Sequence, residues 1–233
     1  MAANNYYDTI TSYKNTIIRD VQTIFRVYGN ELLLRLEELN LLNNDNNVIE
    51  SSTALGFVIE EFVVCKLQTY YQESKFRFYR PDANSTTLSS YDCYYQNNNL
   101  LVMVNIKAEK EGVSNDAVAA INALHSDYCI KNKIPKAYLV LKIHYKCGRK
   151  ENIRTNPRKI IITQINAYFL EEINLVNCGQ DHRNWSRVFK SQSGRLKITR
   201  TNLKKDKLSI DKISYKNTEN QINSIFQNCL NNK

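Results

Sequence analysis

The apolar positions set out the first elements. Between residues 9 and 43, Ile10, Tyr13, Ile17, Val21, Ile24, Phe25, Tyr28, Leu32, Leu33 and Leu36 recur at three- and four-residue steps, the spacing that lines one face of a helix. Gly29 interrupts the series, so the pattern predicts two helices broken near it. Asn43 to Asn47 reads as a loop. Ser51, Ser52 and Thr53 then offer caps for a third helix over 54–72, whose sequence ALGFVIEEFVVCKLQTYYQ is apolar nearly all round apart from Glu60, Glu61 and Lys66. Such a helix is expected to be largely buried, which singles out its acids.

Beyond it the period shortens to two. Residues 76–79 form a short alternating run, 81–90 a polar loop, and Tyr91 to Tyr95 and Leu100 to Lys107 flank three asparagines, Asn97 to Asn99. This is the pattern of a β-hairpin. A helix is expected over 114–131, followed by strands over 137–145 and 159–165 that enclose a basic loop at 149–158. The order predicts an α/β fold with a mixed central β-sheet flanked by helices. Neither a repeat nor a linker divides the chain, so residues 1–233 read as one domain. Within it, 1–50 hold the N-terminal helices, 54–145 the hairpin core and 146–216 a basic part.

At 233 residues and 42% hydrophobic content the chain can build a sizeable core, which excludes disorder as its main state. No apolar run approaches the roughly 18 residues that span a bilayer, and the N-terminus lacks the basic-then-apolar layout of a signal peptide. The expectation is a cytoplasmic protein with no membrane partner. Six cysteines stand singly without a CxxC, so buried thiols are expected rather than disulfides. Two spaced pairs, His144 with Cys147 and Cys178 with His182, have zinc-ligand spacing. The long interval between them favours unrelated thiols and imidazoles.

The net charge of +9 hides a division along the chain. Residues 1–130 carry 10 Lys and Arg against 16 Asp and Glu, whereas residues 131–216 carry 21 against 6. A basic excess over so long a stretch, interleaved with Asn, Gln and Trp185, suits a polyanion, and double-stranded DNA is the expected partner. Base reading is expected from Arg183, Asn184, Gln192, Arg195 and Lys197, because Arg pairs with guanine edges, Asn and Gln with adenine. Trp185 is expected to be a core anchor, and Lys204, Lys205 and Lys207 to meet phosphate or solvent.

The hairpin concentrates the chemistry. A turn centred on Asn98 and Asn99 places Asp92 opposite Asn105, and Lys107 projects from the same face as Asn105 because strand side chains repeat every second residue. A carboxylate, an amide oxygen and an ammonium at the open end of a hairpin are suited to a hard divalent cation and to orienting a water. In this order and spacing, Asp92 and the run Leu101-Val102-Met103-Val104-Asn105-Ile106-Lys107 resemble the PD-(D/E)xK nucleases, above all the type II restriction endonucleases. Gly56 to Glu60 on the preceding helix is similar to the Gly-x-x-x-Glu helix of that superfamily. The resemblance covers about residues 54–145. It implies a restriction-endonuclease-like fold and a Mg²⁺-dependent, sequence-specific endonuclease of double-stranded DNA. Asp92, Asn105 and the Ile106 carbonyl would hold Mg²⁺, with Lys107 assisting the water and Glu60 supporting the site. It also implies a homodimer, one active site to each strand. The apolar Leu32 to Leu42 stretch is more than one small helix needs for its own core, so the N-terminal helices or the C-terminal helix near Ile222, Ile225 and Phe226 are the expected interface.

In one place the chain departs from the family pattern. Asn105 stands where the family has an acid, and an amide oxygen carries no charge for the cation. Either an acid has been exchanged for an amide that stops cleavage, in which case Asn105→Asp should recover it, or Glu60 or Glu109 supplies the missing charge. Asp82, though preceded by Pro81, reads as a loop residue. Outside restriction, a repair or mobile-element nuclease and a non-catalytic DNA-binding relative fit the same residues.

Overall fold

The computed structural model describes residues 3–34, 52–70, 77–81, 89–97, 99–131, 134–148, 158–181 and 194–231. Helix α1 (Ala3–Tyr28) buries the predicted stripe of Ile10, Tyr13, Ile17, Val21, Ile24 and Phe25, and Tyr6 ahead of it. Gly29, at φ 86°, takes the left-handed turn that ends it, a conformation costly to any residue with a Cβ. The chain then departs from expectation. Glu31–Leu34 is not a second helix but strand β1, paired antiparallel with the later strand β7 (Arg158–Phe169). A run of leucines fits either period, and an available sheet edge decides between them. Residues 35–50, including most of the apolar stretch proposed as an interface, lie outside the described residues.

Helix α2 (Ser52–Tyr70) forms as predicted but is not buried all round. Ile59, Val63 and Leu67 enter the core, whereas Phe57 is 71% exposed and Val58, Glu61 and Cys65 also face outward. There follow β2 (Arg77–Tyr79), β3 (Cys93–Gln96), β4 (Leu101–Lys110), β5 (Ala117–Ala120), α3 (Ile121–His125), a π-helical turn (Ser126–Ile130), β6 (Lys136–Gly148), β7, β8 (Gly179–Asp181), β9 (Arg195–Lys197), α4 (Arg200–Lys205) and α5 (Tyr215–Asn231). The helix expected over 114–131 therefore starts only at Ile121. Ala117–Ala120 instead pairs with β9, a partner so distant in sequence that no local pattern announces it.

Among the described residues the main sheet runs β1-β7-β6-β4-β3-β2, and β5-β9-β8 forms a second, three-stranded sheet. The main sheet is mixed, with β4 parallel to β6 and antiparallel to β3. This is the α/β fold with a mixed central sheet flanked by helices. β4 is apolar on both faces because it is covered on both. Val102, Val104, Ile106 and Ala108 pack with α1 and α2, while Leu101 and Met103 pack with Tyr138, Val140 and the α3–α5 side. Ile222 belongs to that second core, and Ile225 and Phe226 pack against it half-buried. Among the described residues no helix is long and apolar enough to cross a membrane.

Candidate active site

The hairpin register is the predicted one. Cys93 pairs with Val104 and Gln96 with Leu101, which places Asp92 at the end of β3 opposite Asn105. Odd residues of β4 turn their N–H groups toward β6, since Leu101 N–H donates to Pro135 O and Glu111 N–H to Tyr145 O. Even residues therefore face the β3 side, and β3 stops at Cys93. Past that point two carboxylates take over the ladder. Asp92 N–H donates to Val104 O at 2.9 Å, and Asp92 Oδ2 accepts from Ile106 N–H at 2.6 Å. Glu60 Oε1, from α2, accepts from Ala108 N–H at 3.0 Å. In a strand the N–H and C=O of one residue point the same way, so the Ile106 carbonyl shares this edge.

α2 lies close against β4 here, since a Cβ added at Gly56 would stand 3.7 Å from Ala108 Cβ. That approach brings Glu60 to the strand. Burial raises the Glu60 carboxyl above its ordinary range. The Lys107 charge and the Ala108 N–H oppose the rise, and the Asp92 charge adds to it. Burial likewise raises Asp92, opposed by the Lys107 charge, the Ile106 N–H and Arg80. Glu60 thus feels the Asp92 charge, Asp92 is raised further by that of Glu61, and both share the field of the half-buried Lys107. Beside them lies a pocket of about 380 Å³ lined by Phe57, Glu60, Glu61, Arg80, Tyr91 and Asp92 among others. On its wall Arg80 Nη2 grips both Glu61 oxygens at 2.8 and 2.6 Å, which holds the Glu61 carboxyl below its ordinary range.

Asn105 is only 3% exposed. Its Nδ2 donates to Ser90 O (2.7 Å), Val118 O (3.1 Å) and Tyr138 Oη (2.9 Å). Tyr138 O–H itself donates to Ser90 O. Asn105 Oδ1 is buried with no hydrogen-bond partner. Glu109, 1% exposed on the same face, is held by Lys142 Nζ at 2.9 Å and Arg200 Nη2 at 2.7 Å, with His144 Nδ1 at 3.7 Å. Burial pushes the Glu109 carboxyl up, but these cations bring it below its ordinary range. Glu109 is therefore neutralised where it stands.

Asp92, Glu60, Lys107 and the Ile106 carbonyl are thus brought to one edge. Arg195 and Lys197 stand on β9, exposed and half-buried respectively, whereas Arg183, Asn184 and Gln192 lie outside the described residues. Of the zinc candidates, His144 meets Glu109 and Asn166, Cys178 Sγ contacts the Asn174 carbonyl, and His182 and the Cys147 side chain lie outside the described residues. Among the described residues no group of three or more His, Cys, Asp and Glu is arranged around one point. Two carboxylates with a backbone carbonyl nevertheless fit Mg²⁺, which keeps several waters and is completed by substrate phosphate oxygens. Sequence reasoning missed Arg80, Ser90, Asp127 and Tyr138. Tyr138 sits in an ordinary apolar strand, and nothing local marks it out. Comparison with protein-family models finds no match, and comparison with curated proteins finds none either.

Proposed function

We propose that this chain is a divalent-cation-dependent endonuclease of double-stranded DNA, of the type II restriction kind that its hairpin resembles. The observation that carries the reading is the meeting of Asp92 and Glu60, from different elements, on the open edge of β4 within the field of Lys107. Each carboxyl uses one oxygen on a backbone N–H and leaves the other for a cation, beside the Ile106 carbonyl. Bound there, Mg²⁺ supplies Lewis acidity toward a phosphodiester and lowers the pKa of a water. Lys107 balances the charge of the two acids and orients the attacking water. In this reading Glu60 replaces the acid that Asn105 lacks, since Glu109 is already neutralised by Lys142 and Arg200. The basic second half would hold the duplex, and a two-fold assembly would bring one such edge to each strand.

A non-catalytic DNA-binding role has one observation in its favour, the uncharged Asn105. Cleavage decides between them. Supercoiled and linear DNA of mixed sequence, incubated with Mg²⁺ or Mn²⁺, should be cut by the unmodified chain, and Asp92→Ala or Glu60→Gln should lower the rate about a hundredfold or more. Intact DNA with either ion, or equal cutting by Asp92→Ala, would sink the reading.

A further inference from the structure

Asp92 lies beyond the last ladder pair of β3 and is joined to β4 by its own N–H on Val104 O, and the turn that precedes it is fixed separately. Ser90, two residues earlier, is 5% exposed and fastened at both ends. Its N–H donates to Asp127 Oδ2 at 2.7 Å, and Asp127 Oδ1 is in turn paired with Lys131 Nζ at 2.8 Å. Its carbonyl receives Asn105 Nδ2 at 2.7 Å and the Tyr138 hydroxyl. Two of the three groups around Asn105 Nδ2 are backbone carbonyls, Ser90 O and Val118 O, which can only accept. The group between them must therefore be a donor, and this face of residue 105 is built for an amide nitrogen. An aspartate would set a carboxylate oxygen against both carbonyls.

We propose that Asn105 is a positioning residue, whose amide nitrogen pins the Ser90 carbonyl and so fixes the turn that delivers the Asp92 carboxyl to the Ile106 N–H and the cation beside it. The importance of that delivery rests on the reading of Asp92 as a cation ligand; the pinning itself is independent of it. Residue 105 then serves the site through its nitrogen, and restoring an acid there weakens the site instead of repairing it.

The structure contains an internal control for the test. Ile106 N–H is capped by Asp92 and Ala108 N–H by Glu60, so loosening the Ser90 turn exposes the first and spares the second. Amide hydrogen exchange is followed by NMR in the unmodified chain, in Asn105→Asp and in the milder Tyr138→Phe, which keeps the ring and removes one bond to Ser90. Mn²⁺ binding by calorimetry accompanies each. Asn105→Asp should speed exchange at Ile106 about tenfold relative to Ala108 and weaken Mn²⁺ binding. Tyr138→Phe should shift Ile106 in the same direction by a smaller factor, which tests the proposal even if the aspartate variant does not fold. Equal acceleration at both amides, or unchanged Ile106 exchange, would overturn the proposal, as would tighter Mn²⁺ binding by Asn105→Asp. Absence of Mn²⁺ binding by the unmodified chain would overturn the cation reading of Asp92 alone, leaving the exchange contrast to decide the pinning.

Discussion

Glu171 shows what a single buried carboxyl does to this protein. It has no exposed surface, accepts from the Tyr128 hydroxyl at 2.5 Å and takes the Tyr138 N–H on both oxygens at 3.2 Å. Burial raises its pKa to about 7, against the pull of those donors. A carboxyl whose pKa is raised by folding binds its proton more tightly in the native state. Its stabilising contribution is complete below the ordinary glutamate range and is lost as pH climbs through that range to about 7. Glu171→Gln keeps the acceptor for Tyr138 and removes the titration. Urea unfolding at a series of pH values should therefore show wild-type stability falling relative to the variant by up to about 1.4 kcal/mol per pH unit in this window. Parallel curves would mean that Glu171 titrates normally. Residue by residue, the candidate site was half legible. Antiparallel pairing about the Asn turn put Asp92 opposite Asn105. The partners of the Asn105 nitrogen come from the Ser90 turn, β5 and β6, and no local periodicity links those segments.

At the scale of elements, the π-helical turn Ser126–Ile130 is held by a lysine from the next strand. Lys136, wholly buried, donates through Nζ to the Tyr128 carbonyl at 2.7 Å and to the Lys131 carbonyl, while the Tyr6 hydroxyl donates to its own carbonyl at 2.6 Å. The ammonium thus satisfies carbonyls that the end of a helical turn leaves unpaired. Lys136→Met fills similar volume but strands those carbonyls, at a cost of about 2–4 kcal/mol and a lower Tm by roughly 5–10 °C. An unchanged Tm in calorimetry would show that the turn does not depend on the lysine. Upstream of this turn, the expected helix over 114–131 gives way to strand at Ala117–Ala120. The polar and apolar spacing there suits a helix, and pairing of Ala117–Ala120 with β9 overrides that local preference. Strand β1 has the same cause, a leucine run recruited by the edge of β7.

The whole molecule separates two cores across one sheet, with the candidate site where β3 ends and the first core, α2 and the strand edge meet. Its basic side chains are concentrated late in the chain, where the described residues include Arg195, Lys197, Arg200, Lys204, Lys205 and Lys207. If these meet phosphates, DNA affinity should fall by about a thousandfold or more between 50 and 200 mM salt for about six to ten contacts, through release of counterions. A flat salt titration by fluorescence anisotropy would remove nucleic acid as the partner. From sequence alone came the buried stripe of α1, the hairpin and its register, the strands β6 and β7, and the placing of an acid-bearing helix before the hairpin. These features rest on side-chain periodicity and short loops, and both act within a few residues. Only the tertiary structure decided that the leucines after Gly29 join a sheet, that Phe57 lies exposed beside the pocket, that Glu109 is neutralised by Lys142 and Arg200, and that Asn105 faces two backbone carbonyls. Each of those outcomes depends on a partner distant in the chain, whose hydrogen bond or charge exists only once folding has brought the segments together.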